Sequence, residues 1–286
     1  MPGVTLIIPA HDEAAYIGPC LEAILASNPK PGSGSGSLPV PLPVEVIVVA
    51  NGCSDDTAMR ARAFAPRFAA MGWDFQVLEL AQGGKMGALN AGDKAARHGA
   101  RAYLDADVVV SKPLLDQVGR ALQTRRAAYV SGRCEIAPAK SAITRAYGRT
   151  YARVPFMTTG VPGCGFFAVN AEGRRRWGLF PDIISDDTFV RLCFTPQERI
   201  GVAAPYSWPL VEGWRALVKV RARQDRGVAQ IRETYPQILG NDDKPRLGVA
   251  GKLLLALRDP FGFAVYAGVA LATRFDRSGD GWSRGR

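Results

Sequence analysis

The chain has 286 residues, of which 47% are hydrophobic and 22% charged, with a formal net charge of +10. This composition supports a sizeable core and excludes global disorder, while the positive balance favours anionic partners such as nucleotide diphosphates or acidic lipid surfaces. Five cysteines, at 20, 53, 134, 164 and 193, lack close metal-ligand spacing and read as reduced, intracellular thiols, and with only His11 and His98 a multi-histidine metal site is excluded.

Residues 4–8 form an aliphatic run stopped by Pro9, which reads as a buried strand and not as a secretion signal. Ile17, Leu21, Ile24 and Leu25 give 14–26 helical spacing. Residues 28–43, rich in Pro, Gly and Ser, read as a flexible loop within a domain, because a second buried strand follows at 44–49. Then come a helix over 55–71, a strand over 75–80, a helix over 86–98, a strand over 100–104, a helix over 112–124 and a strand over 127–132. Alternating strands and helices predict parallel pairing, with ligands at the carboxyl ends of the strands. The unusual polar residues fall there: His11, Asp12 and Glu13 after the first strand, Asn51 after the second, Asp105 and Asp107 after the fourth.

Past residue 135 the pattern loosens. Residues 160–169 are glycine-rich and then apolar, 186–194 read as a short acidic-headed helix, and 212–235 as a basic helix. An apolar helix over 247–257 precedes an apolar run over 261–273, too short to span a bilayer.

Asp105-Ala106-Asp107 carries the clearest chemistry. Carboxylates at i and i+2 of extended backbone point to one side and repel. A divalent Mg²⁺ or Mn²⁺ shared with diphosphate oxygens relieves that repulsion. Alone, Asp-x-Asp is common by chance; its place at a buried strand end is what distinguishes this copy. Lys85, after Gly83-Gly84, opens a helix where it can meet a phosphate or the acidic site.

Four segments in order resemble the family-two glycosyltransferases, which have the GT-A fold: residues 4–13, residues 46–57, Gly84-Lys85 through Leu89-Asn90, and Asp105-Ala106-Asp107. The similarity continues more loosely to about residue 230. It implies an α/β GT-A catalytic domain over 1–235, with a Rossmann-like, mostly parallel sheet flanked by helices. A helical, partly apolar extension over 236–286 follows. The implied reaction is inverting, metal-dependent transfer from a nucleotide diphosphate sugar to a hydroxyl of a glycan or lipid-linked acceptor.

The resemblance also implies residue roles. Pro9, His11, Glu13, Asn51, Lys85 and Asp105 would line the donor pocket, and Asp107 with Asp105 would hold Mg²⁺ or Mn²⁺. The acidic residue usual at position 50 or 51 is replaced by Ala50-Asn51, which leaves the nucleotide base open. Asp186-Asp187 stands where the family has an acidic pair, with Asp187 as general base; the plainer reading is that Ser185 and Asp186 cap a helix. Pro162-Gly163-Cys164-Gly165 resembles an acceptor-side turn built on Gly163 and Gly165. Arg223 or Arg226 would grip the diphosphate, and the Gln-x-x-Arg-Trp of processive members is absent after Gln224.

The expected location is cytoplasmic and peripheral on the inner face of the cell membrane. There residues 247–273 would rest on anionic lipid or, alternatively, pack on the catalytic domain. No nucleic-acid partner is expected. Two other readings are a sugar-nucleotide nucleotidyltransferase and an inactive nucleotide-sugar-binding module. The first needs a glycine-rich loop after the first strand, and residues 9–13 contain no glycine.

Overall fold

The computed structural model describes residues 3–27 and 43–275. The Gly-Ser alternation at 32–37 and the basic residues Arg277, Arg284 and Arg286 lie outside the described residues.

Among the described residues, eight strands form one sheet. In chain order they are β1 (Val4–Ala10), β2 (Val44–Asn51), β3 (Asp74–Leu80), β4 (Ala100–Leu104), β5 (Val109–Val110), β6 (Tyr129–Ile136), β7 (Phe166–Val169) and β8 (Arg199–Trp208). Their order across the sheet is β3-β2-β1-β4-β7-β6-β8-β5. β1 to β4 run parallel, β7 enters antiparallel between β4 and β6, and β6 and β8 are parallel again. The fold is the α/β GT-A arrangement expected, with an antiparallel insertion where the sequence pattern loosens.

Strand periodicity explains the continuous aliphatic runs. Leu6, Ile8, Val46 and Val48 pack into the core on one face of the sheet, and Ile7, Ile47 and Val49 into the core on the other. With helices on both faces, no position of these strands is left to water, so no polar alternation appears. In register, Ile7 is level with Ile47 and Tyr103, which brings the carboxyl ends of β1, β2 and β4 together.

Several elements differ from the sequence reading. The helix expected over 55–71 is two, Thr57–Arg62 and Ala65–Ala70, with Pro66 in the first turn of the second; proline cannot donate within a continuous helix. An unforeseen helix, Ala142–Tyr151, starts where Ser141 Oγ accepts from Thr144 N. β7 has only four residues, and β8 carries Gly201 and Pro205, so neither shows a clean strand pattern.

The C-terminal region is helical: Trp214–Thr234, Val249–Arg258 and Pro260–Ala272. Leu217, Leu255, Val265 and Val269 join Ala146, Tyr147 and Tyr151 in a third apolar cluster, so packing crosses the expected boundary at 235. Asp259 caps the last of these helices through Gly262 N and pairs with Arg149 at 2.7 Å. The opposite face is bare: Val249, Leu253, Leu254, Leu257 and Phe261 are each at least 60% exposed. Among the described residues, no helix is long and apolar enough to cross a membrane.

Candidate active site

The ends of β1 and β2 are laced together by side chains. Asn51 is buried, and its Nδ2 donates to Ala10 O at 2.8 Å while its Oδ1 accepts from Gly84 N at 2.9 Å. Its amide therefore holds the backbone that launches the Lys85–Ala95 helix. His11 Nδ1 lies 2.6 Å from Asn51 O. Asp12, the one non-glycine residue at positive φ among those described, takes the amides of Ser54 and Asp55 on its Oδ1. Asp12, Cys53 and Asp55 lie close enough to share an ion. However, Asp55 also accepts from Ala14 N and Thr57 N, so these carboxylates are committed to loop amides.

At the end of β4, Asp105, Ala106 and Asp107 are not extended as expected. The strand stops at Leu104, and Val108 N returns to Asp105 O at 3.1 Å, making a turn. The turn still directs both carboxylates to one cavity. Asp105 N donates to Gly165 O at 2.9 Å, so the glycine-rich segment positions the acidic turn. Both Gly163 and Gly165 have positive φ. A Cβ on Gly163 would fall 1.7 Å from Tyr129 Oη, so glycine is required there by space as well as by backbone conformation.

Lys85 joins the two acidic motifs. Its Nζ is 2.9 Å from Asp105 Oδ1 and 3.0 Å from Asp186 Oδ1. Asp186 begins the Asp186–Leu192 helix and is 4% exposed. Burial pushes its carboxyl up to about 6, against the pull of the Lys85 ammonium. Burial works against the Lys85 charge too, but the Asp105 and Asp186 carboxylates outweigh it and hold that pKa above the ordinary lysine value. Ser185 makes no side-chain cap, and both aspartates stand in the first turn of the helix. Asp187, beside it, accepts Thr188 N on Oδ1 at 2.6 Å.

The loop before this helix is held from two sides. Asn90, on the Lys85 helix, exchanges two hydrogen bonds with the Phe180 backbone. Gln230 receives Ile184 N and donates to Asp182 O. These ties fix Lys85 and Asp186 in register across 101 residues of chain.

Two adjoining cavities meet at Lys85 and Asp105. The smaller, about 200 Å³, is lined by Pro9, His11, Glu13, Asn51, Asp105 and Asp107. The larger, about 870 Å³, is lined by Asp186, Asp187, Gly165, Arg226 and Lys244 together with Tyr151, Phe156, Trp208 and Tyr266. Pro9, Tyr151, Trp208, Arg221 and Arg223 border both. Gly163 lines neither and packs beneath on Tyr129. Cys164 is buried with its Sγ 3.5 Å from Cys134 Sγ. Lys244 and the aromatic residues were not foreseen as site residues, because they sit in segments without any motif.

The carboxylates of the smaller cavity suit a hard cation. Asp107, Asp105 and Glu13 offer oxygen atoms of the kind Mg²⁺ or Mn²⁺ prefers. Asp105 Oδ1 faces Lys85, which makes Asp107 the main candidate ligand.

Residues 5–169 match the sequence model of Glycosyl transferase family 2. No curated protein matches the chain. Among solved structures, the chain is similar to the mannosyltransferase PcManGT from Pyrobaculum calidifontis, solved in complex with GDP-Man and Mn²⁺. The identity is 20%, over 97% of this chain and 76% of that one, with a TM-score of 0.61. It is also similar to residues 1–349 of S. aureus TarS in complex with UDP-GlcNAc, at 14% identity over 96% of this chain and 92% of that one, with a TM-score of 0.53.

Proposed function

The chain belongs to glycosyl transferase family 2, and from that premise we propose that it moves a glycosyl group, with inversion, from a nucleotide diphosphate sugar to a hydroxyl acceptor. Family membership sets aside the nucleotidyltransferase alternative. The observation that carries the reading is the division of carboxylates. Asp107 lines the smaller cavity and Asp187 the larger, with Lys85 and Asp105 at the junction.

In this reading the diphosphate end of the donor lies in the smaller cavity, beside His11, Glu13 and Arg223. The acceptor enters the larger one, where Tyr151, Trp208 and Tyr266 offer apolar faces to a sugar. Asp187 takes the proton from the acceptor hydroxyl as that oxygen attacks the anomeric carbon. The glycosyl–phosphate bond breaks on the opposite side, so configuration inverts. Arg221 and Arg223, at the junction, face the charge that develops on the departing diphosphate. A Mg²⁺ or Mn²⁺ held by Asp107 with Asp105 would supply further neutralisation there. Lys85 keeps Asp105 and Asp186 from repelling one another.

The exposed face of Val249–Arg258 supports peripheral contact with a membrane. Val249, Leu253 and Leu257 recur every four residues on one side, with Lys252 and Arg258 nearby. We assign this contact to the anionic inner face of the cell membrane, where a lipid-linked or envelope-glycan acceptor would be met.

The test is a panel of nucleotide sugars assayed for metal-dependent donor hydrolysis and transfer. Turnover with at least one donor is expected. No turnover with any donor, together with no metal-dependent nucleotide binding, would overturn the proposal.

A further inference from the structure

Lys244 lies in the segment between the Pro236–Asn241 turn and the Val249–Arg258 helix. It lines the larger cavity with Asp187, its ammonium 4.5 Å from the centre of the Phe156 ring. Two of the other cations there have carboxylate partners. Lys85 is held by Asp105 and Asp186, and Arg221 pairs with Asp225 at 3.0 Å. The two carboxylates nearest Lys244 in sequence are taken by other groups. Asp242 pairs with Arg191, and Asp243 with both Arg191 and Arg199. Among the described residues, no carboxylate makes an ion pair with Lys244. Arg191 and Arg199 thus occupy Asp242 and Asp243, while Lys244 alone of these five residues lines the cavity.

We propose that Lys244 binds an anionic group, a carboxylate or a phosphate, carried by the acceptor. The inference rests on the glycosyl-transfer reading above and adds to it the chemical class of the acceptor. Bound at Lys244, an anionic acceptor lies in the same cavity as Asp187, so its charge anchors the molecule while a neighbouring hydroxyl reaches the base. The position over Phe156 matches this use: the ring provides an apolar floor, and the ammonium is a point charge that accepts either oxyanion. Burial and the neighbouring Arg191 push the Lys244 pKa down to about 8, against the pull of the Asp242 and Asp187 carboxylates.

The experiment is calorimetric titration of the full chain, saturated with nucleoside diphosphate and Mn²⁺ so that the donor side is filled. The probes are glucose 6-phosphate, glucuronate and glucose. At least one anionic sugar is expected to bind ten times more tightly than glucose, and which one it is distinguishes phosphate from carboxylate. Lys244→Met is expected to remove the difference, and Lys244→Arg to keep most of it, with nucleoside diphosphate affinity unchanged in both. Equal binding of all three sugars, or a preference that survives in Lys244→Met, overturns the inference. Loss of metal-dependent nucleoside diphosphate binding in the unaltered protein would instead overturn the glycosyl-transfer reading beneath it.

Discussion

Lys85 Nζ stands 3.0 Å from Asp186 Oδ1, so a single ammonium ties the helix that carries the candidate base to the acidic turn after β4. Removing it leaves Asp186, buried, and Asp105 facing each other without a counter-charge. Lys85→Met is expected to lose about 2 kcal/mol of stability, below the range for fully buried pairs because Lys85 and Asp105 are partly exposed. It should also lose at least 100-fold in turnover. Urea unfolding and donor-turnover assays check both; unchanged values would show that the bridge is incidental.

Gly163 and Tyr129 make a second coupled pair. Gly163→Ala meets both a positive φ and the Tyr129 hydroxyl, and a cost of at least about 1–2 kcal/mol is expected from the backbone alone. Tyr129 Oη is buried and has no hydrogen-bond partner among the described residues. Tyr129→Phe should therefore be nearly neutral. The double variant should recover part of the loss, giving a non-additive cycle in thermal or urea unfolding. Strict additivity would contradict the packing described.

Lys244 has a pH signature. Its folded-state pKa, about 8, is below the ordinary lysine value of 10.5. The folded protein thus holds this proton less tightly than the unfolded chain does. The penalty is in full force below about pH 8 and fades as pH rises toward 10.5. At pH 7 and without ligand, Lys244→Met should be more stable than the unaltered protein by about 1–3 kcal/mol, allowing for partial solvation. That advantage should narrow above pH 8. A destabilised Lys244→Met, or an advantage that does not change with pH, would contradict the assignment.

The bare apolar face calls for substitution and not truncation, since Leu255, Val265 and Val269 of the same region are buried in the third cluster. Changing Leu253, Leu254, Leu257 and Phe261 to serine should leave the melting temperature within a few degrees. Flotation with anionic vesicles should fall at least tenfold, because each of these side chains loses burial energy in lipid. Equal flotation of both forms would rule out this face as the contact.

The first half of the site was legible in sequence because its residues sit at the ends of strands buried on both faces. There an aliphatic run such as 4–8 or 46–49 announces the strand and its end announces the ligand side. Asp105 and Asp107 were found this way, and Lys85 from the Gly83-Gly84 turn that opens its helix. What could not be read was tertiary. Asn51 reads as a donor contact, and only the structure shows that its amide also joins Ala10 to Gly84. Asp105 and Asp107 read as extended, yet a backbone turn gathers them. β7 is too short, and β8 too interrupted by Gly201 and Pro205, to produce a periodic signal. Lys244 and Tyr266 reach the cavity only through packing of C-terminal helices whose apolar pattern fits burial and membrane contact equally well.

The division of labour between the two acidic sets is the centre of this account, and Asp187→Asn tests it most directly. The substitution removes the proton acceptor while keeping the size of the side chain. Transfer to acceptor should fall by about 10²–10⁴-fold, and metal-dependent binding of the nucleotide sugar, measured by calorimetry on the same preparation, should stay within twofold of the unaltered protein. Near-normal transfer by Asp187→Asn would contradict the assignment of the base, and loss of donor binding in step with activity would contradict the separation of the two cavities' roles.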